Sequence, residues 1–223
     1  ASIKDTLVRF GMNGVLVLSM VPMVQSGCGL NFGLPLGVIA GLLGAVTTME
    51  MGITGIMGFI TAVILSCAIA AVLGWGYGKM LNRVKGEEMV ISTYVGLSSV
   101  MFMCMMWLVL PFKSPAMVWG YGGSGLRTTI TLEGYWFNII DNFLAIKIGD
   151  FTFPTGLFIF FAVMAFLVWA FFHTKTGTAM TAVGSNPDFA RASGIDVNRM
   201  RTISVIISTV FGAVGILVYQ QSC

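Results

Sequence analysis

A chain of 223 residues that is 57% hydrophobic, with mean hydropathy +0.90, has only 9% charged residues. Soluble domains carry about 25% charge, so that class is excluded. The formal net charge of +3 and its scattered cations exclude a nucleic-acid surface. Apolar stretches of roughly 20 residues recur along the whole length, each long enough to cross a bilayer. A signal peptide does not account for them. The fold class is therefore all-α, a polytopic transmembrane helical bundle of about six spans.

The first predicted span covers residues 6–24. It gives way to the Gly-rich run Gln25-Ser-Gly-Cys-Gly-Leu-Asn-Phe-Gly33, too short for a large aqueous loop, and a second span follows at 34–49. Irregular backbone at membrane depth survives only inside protein or beside a water-filled cavity, and broken helices of this kind frame substrate paths in transporters. The run also reads as a tight turn at the membrane surface, and both readings stand here. Gly37, Gly41 and Gly44 share one face of the second span. Small residues so spaced let helices approach closely in lipid, so packing rather than pore lining is expected.

Glu50 marks a short connection to the third span, at 54–79, whose end carries Gly74, Trp75, Tyr77 and Gly78. The two aromatics are expected in the interfacial belt. Lys79, Arg83, Lys85, Glu87 and Glu88 form the next loop, before a Met-rich fourth span at 89–110 with Ser92, Thr93, Ser98 and Ser99. Those methionines read as adaptable packing. Residues 111–153 are polar enough to leave the membrane. Within them, alternation on both sides of Gly149-Asp150 predicts a small hairpin over 145–153. Tyr135, Trp136 and Phe137 are expected at an interface, as solvent-side decoration rather than a docking surface. The fifth span covers 154–172, and a sixth begins near 202 and is cut off.

Cys28, Cys67, Cys104 and Cys223 have no metal-ligand spacing and read as free thiols. Lys79, Arg83 and Lys85 cluster in one loop, and Lys175, Arg191, Arg199 and Arg201 in another. The longer loop between holds only Lys113, Arg127 and Lys147. The positive-inside rule makes the two clustered loops cytoplasmic, so the first span starts outside. Lys4 and Arg9 run mildly against that count, a conflict that would shrink if a further span preceded this segment.

Between the last two spans lies the polar stretch HTKTGTAMTAVGSNPDFARASGIDVNRMR, residues 173–201. Asn186 is a good N-cap, and Pro187 fits the first helical position, where its missing N–H is not needed. Asp188 lies in the first turn, where the helix dipole favours negative charge. Gly194 suits the left-handed position past a helix end, with Ile195 folding back onto Phe189. The helix, of about two turns, would be marginal alone, so something must hold it, and Phe189 is its only large apolar side chain.

The run AVGSNPDFARASGIDVNRMR resembles the cytoplasmic loop of permease subunits of bacterial ABC importers. The subgroup is the one serving simple sugars such as ribose and galactose, with relatives for nucleosides and branched-chain amino acids. Gly184, Asn186, Pro187, Ala190, Arg191, Ser193, Gly194 and Ile195 match. The resemblance implies a coupling helix that docks into a cleft on the ATP-hydrolysing subunit. Phe189 would be its apolar plug, and Arg191 a charge contact or loop brace. The family segment Gly-Gly-Ile-Asp-Leu-Ser-Val-Gly is similar to residues 26–33, where Gly27, Leu30 and Gly33 agree and Gly29 replaces the acid. Asn31 is the remaining polar side chain there. Gly27, Gly29, Asn31 and Gly33 are thus the candidate substrate-path residues.

Family members are longer, with spans on both sides. The resemblance therefore implies that residues 1–223 are a fragment of one permease domain, truncated at both ends. It implies a multi-pass protein of the bacterial inner membrane that imports a small polar solute, sugar-like or nucleoside-like. The implied partners are an ABC ATPase subunit, a second permease copy or homologue, and an extracytoplasmic solute-binding protein. ATP and Mg would sit in the ATPase, and this chain carries no G-x-x-x-x-G-K-[ST] phosphate loop. An ion-coupled secondary transporter would need ionisable groups near mid-membrane, whereas Glu50 and His173 fall at span ends. An intramembrane enzyme would need a Ser/His/Asp group or a metal-spaced cluster, and no such pattern occurs. No catalytic or metal-binding residue is expected.

Overall fold

In lipid every backbone N–H and C=O must be satisfied within the segment, so isolated apolar runs of this length become helices. The computed structural model describes residues 2–30, 32–84, 86–110, 135–137, 139–142, 146–148 and 151–222. Their elements, in chain order, are α1 (Ser2–Gln25), α2 (Leu34–Glu50), α3 (Gly55–Arg83), α4 (Glu88–Val109), α5 (Ile139–Asn142), β1 (Ile146–Ile148), β2 (Phe151–Phe153), α6 (Thr155–Phe172), α7 (Lys175–Ser185), α8 (Pro187–Ala192) and α9 (Val197–Gln221). Five of these, α1, α3, α4, α6 and α9, are long and apolar enough to cross a membrane. The apolar α2, with 17 residues, makes a sixth at the short end of the spanning range. Asn31, Lys85, Lys113, Arg127, Gly149, Asp150 and Cys223 lie outside the described residues.

The central element is α9, which packs against α1, α2 and α3, while α6 lies on α1 and α4 on α2. Glycines permit these close crossings. A Cβ at Gly37 would fall 3.3 Å from Ala213 N, one at Gly74 3.0 Å from Ile206 Cα, and one at Gly78 3.1 Å from Thr202 Cα. Gly44 likewise sits against Ser66 of α3, so the packing expected of the second span is what the fold uses.

Three expectations are corrected. The sixth span begins at Val197, because Asp196 accepts from Arg199 N at 3.1 Å and caps the helix there. Its 25 residues form a full span of about 37 Å. Trp136 is no interfacial decoration: its side chain is fully buried in the cluster of Val15, Phe59, Leu157 and Leu217. Tyr77 leaves the interfacial belt and turns inward to bond Ser92 Oγ, while Trp75 stays exposed with Lys79 Nζ 3.7 Å from its ring centroid. On α4, Met103 is buried in packing as expected, while Met89, Met101 and Met105 are exposed. The predicted hairpin is present, with Ile146 opposite Phe153 and Ile148 opposite Phe151.

One end of the bundle gathers the basic loops: Asn82 near the end of α3 meets α9, Glu88 at the start of α4 meets Arg201, and α7 meets the end of α1. The positive-inside rule assigns this end to the cytoplasm.

Candidate functional site

The polar stretch between α6 and α9 holds two helices. Thr174 accepts from Gly177 N at 3.2 Å and starts α7, an element that cap and periodicity reading of the sequence missed. The signal was the Thr-x-x-Gly step at 174–177, where Gly177 must pass close to Phe171 and Phe172. The single histidine ends α6: His173 Nδ1 donates to Trp169 O at 2.8 Å, and its ring lies 4.2 Å from that of Trp169. This is a structural role.

Both ends of α8 follow the sequence. Asn186 Oδ1 accepts from Asp188 N and Phe189 N, each at 3.0 Å, and Pro187 occupies the first turn. At the other end Gly194 has φ +82°, and Ile195 N donates to Ala190 O at 2.9 Å while Gly194 N donates to Arg191 O at 3.0 Å. These are the two bonds of a Schellman motif with Ser193 as C-cap.

The expected contact between Ile195 and Phe189 is not made. Ile195 instead packs on the buried cluster of Val183, Ala190 and Val197, one residue from each of α7, α8 and α9. In a Schellman motif the residue after the glycine meets the position three before the cap, which here is Ala190. Ala190 is therefore what holds α8 down, and Phe189 points outward with 66% exposure. Arg191 reaches Asp188 at 3.5 Å, but both side chains are largely exposed, so the pair is weak and Arg191 remains accessible.

The second candidate stretch meets the first. α1 also ends in a Schellman motif: Cys28 N donates to Met23 O and Gly27 N to Val24 O, both at 3.2 Å, with Gly27 at φ +71°. Gly27 lies against Gly184 of α7, where a Cβ would fall 3.0 Å from Gly184 Cα. A Cβ on Gly184 would land on Gln25 O. Gly29, at φ +81°, faces Met89, and Gly33 faces the Tyr77 ring. The positive φ gives Gly29 a physical reason to replace the acid of the related segment. Beneath the turn, the buried Ser26 Oγ and Ser204 Oγ lie 2.8 Å apart. Burial pushes the Cys28 thiol above its ordinary pKa.

Gly27, Gly29 and Gly33 thus lie in packed backbone at the cytoplasmic end. A separate apolar cavity of about 380 Å³ lies between α2, α3 and α4, walled by Leu36, Leu43, Leu73, Phe102 and Met106.

The sequence pattern of the family described as "Branched-chain amino acid transport system / permease component" matches residues 2–222. The chain belongs to this family of ABC importer permeases. With its apolar helices, the permease is a multi-pass protein of the inner membrane. It is 24% identical over 217 residues to the "Fructose import permease protein FruG" of Bifidobacterium longum (strain NCC 2705). That match covers 93% of this chain but 56% of the relative, so the chain spans about half the relative's length. No solved structure matches the permease.

Proposed function

We propose that the permease forms the membrane path of an importer for a small polar solute, sugar-like or nucleoside-like, and that ATP hydrolysis in a partner subunit drives it through α8. The observation that carries this reading is the exposed Phe189 on a six-residue helix locked at both ends by its own caps. An isolated helix this short would fray. With its caps and the Ala190 anchor, it can transmit a push rather than absorb it. Gly184, Asn186, Pro187, Ala190, Ser193, Gly194 and Ile195 build that shape, and Phe189 and Arg191 present it to the ATPase cleft. ATP and Mg belong to the ATPase. A second permease copy or homologue and an extracytoplasmic solute-binding protein complete the assembly.

The turn bearing Gly27, Gly29, Asn31 and Gly33 would be the inner mouth of the path, which the contact of Gly27 with the coupling segment favours. The fructose permease relative supports a sugar as solute.

The test places a cysteine at Phe189 in the full-length protein, with its native cysteines replaced, and co-expresses the ATPase subunit. A specific crosslink whose yield changes with nucleotide is expected. No crosslink in a complex whose assembly is confirmed would remove the coupling reading and leave α8 an ordinary loop helix.

A further inference from the structure

Among the described residues, three close contacts fix the cytoplasmic half of α4. Glu88 pairs with Arg201 of α9 at 3.1 Å, Ser92 bonds Tyr77 of α3, and Gly96 lies against Phe32 O, where a Cβ would clash. Beyond Gly96 the cavity lined by Leu43, Leu73, Phe102 and Met106 lies between α4 and the pair α2 and α3, with Met103 buried beside it. The outer half of α4 therefore has room to swing about a cytoplasmic hinge.

The first of these contacts is polar and sheltered. The side chains of Arg201 and Glu88 are 16% and 19% exposed, so solvent screens the pair far less than it screens Arg191 and Asp188. Glu88 Oε2 also accepts from Gly86 N at 3.0 Å, which fixes the carboxylate, and Glu88 sits in the first turn of α4, where the dipole favours it. Arg201 lies in the second turn of α9, a few residues after α8, and Val197 ties that turn into the Val183–Ala190 cluster. Asn82 of α3 donates to Asn198 O at 2.9 Å and Thr202 Oγ1 at 2.8 Å, bracing the same turn of α9.

We propose that the Glu88–Arg201 pair is the joint through which displacement of the coupling segment passes from the start of α9 into α4, making Glu88 and Arg201 positioning residues for transport. The inference rests on the coupling reading of α8. A half-buried pair suits this task because its geometry is directional: losing either partner leaves the other charge poorly compensated rather than merely loosening a contact. Apolar contacts alone would let α4 slip.

The experiment uses the full-length permease assembled with its ATPase subunits, carrying nitroxide labels at the exposed Met51 and Val109 on the outer side. The label distance is measured without nucleotide and with ATP and vanadate. A nucleotide-dependent distance shift is expected in the unsubstituted protein. It should be lost in Glu88→Gln and in Arg201→Gln, and regained when Glu88→Arg is combined with Arg201→Glu. The Phe189 crosslink to the ATPase should persist throughout. A shift that survives in the single variants, one that the exchanged pair fails to restore, or the lack of any shift in the unsubstituted complex would each overturn the joint. Failure of the Phe189 crosslink in the unsubstituted complex would instead remove the coupling reading, and the joint with it.

Discussion

Gly194→Val tests the mechanical role proposed for α8. No atom lies within 4 Å of a Cβ built on Gly194, so the substitution meets no steric clash in this chain. Its whole effect comes from φ +82°. An L-residue held in that left-handed region costs about 1–2 kcal/mol, and a β-branched one sits at the unfavourable end. The two Schellman bonds, Ile195 N to Ala190 O and Gly194 N to Arg191 O, share that strain. One to two kcal/mol multiplies the open population by roughly 5–30. Hydrogen exchange of the 190–196 segment in lipid nanodiscs should therefore quicken by about that factor. Gly194→Asn should stay close to the parent, because Asn tolerates this conformation. With α8 frayed, ATP hydrolysis continues while solute imported per ATP falls, and membrane insertion is unchanged. Unaltered exchange in Gly194→Val would refute the strain argument. Faster exchange with an undiminished ratio of import to hydrolysis would refute the coupling role.

Asn186→Ala removes the acceptor of two backbone bonds and should destabilise α8 by about 1 kcal/mol, seen as faster exchange at Phe189, whereas Asn186→Ser should recover most of it. Gly184→Ala drives a methyl onto Gln25 O and should lower the thermal midpoint in detergent, by an overpacking cost of about 1–3 kcal/mol, while the exposed Ser185→Ala stays neutral. An unchanged midpoint in Gly184→Ala would disprove the close contact of α7 with the end of α1. The Cys28 thiol is raised by burial, so its neutral form is favoured in the folded state. That contribution is full below the ordinary thiol pKa and is lost as pH rises through the folded value. Alkylation of Cys28 by iodoacetamide should accordingly reach half its maximal rate at higher pH in the native protein than in the SDS-unfolded chain. Coincident profiles would contradict the burial.

Much of the 186–195 segment is legible in the sequence because helix ends are local events. Asn186, Pro187, Asp188 and Gly194 each act within four residues of their own position, and each does in the structure what its type predicts. The same rule applied to residues 23–28 would have found the Schellman end of α1. Gly27 is what ends α1, but in composition it is indistinguishable from Gly29 and Gly33 of the same run.

The sequence alone determined that this chain crosses a membrane repeatedly, roughly where its first five spans lie, that strands 146–148 and 151–153 pair, and that a capped helix follows Asn186. Those conclusions need only apolar length, cap chemistry and turn geometry. Tertiary structure alone decided which way Phe189 and Ile195 face, that Trp136 is buried, that Gly27 meets Gly184, and that Glu88 finds Arg201 across 113 residues of chain. The reason is that lipid and protein interior are equally apolar. Periodicity in a span such as α4 therefore does not distinguish the face that meets lipid from the face that meets a neighbouring helix. A charge or glycine far along the chain carries no mark of its partner until the helices pack.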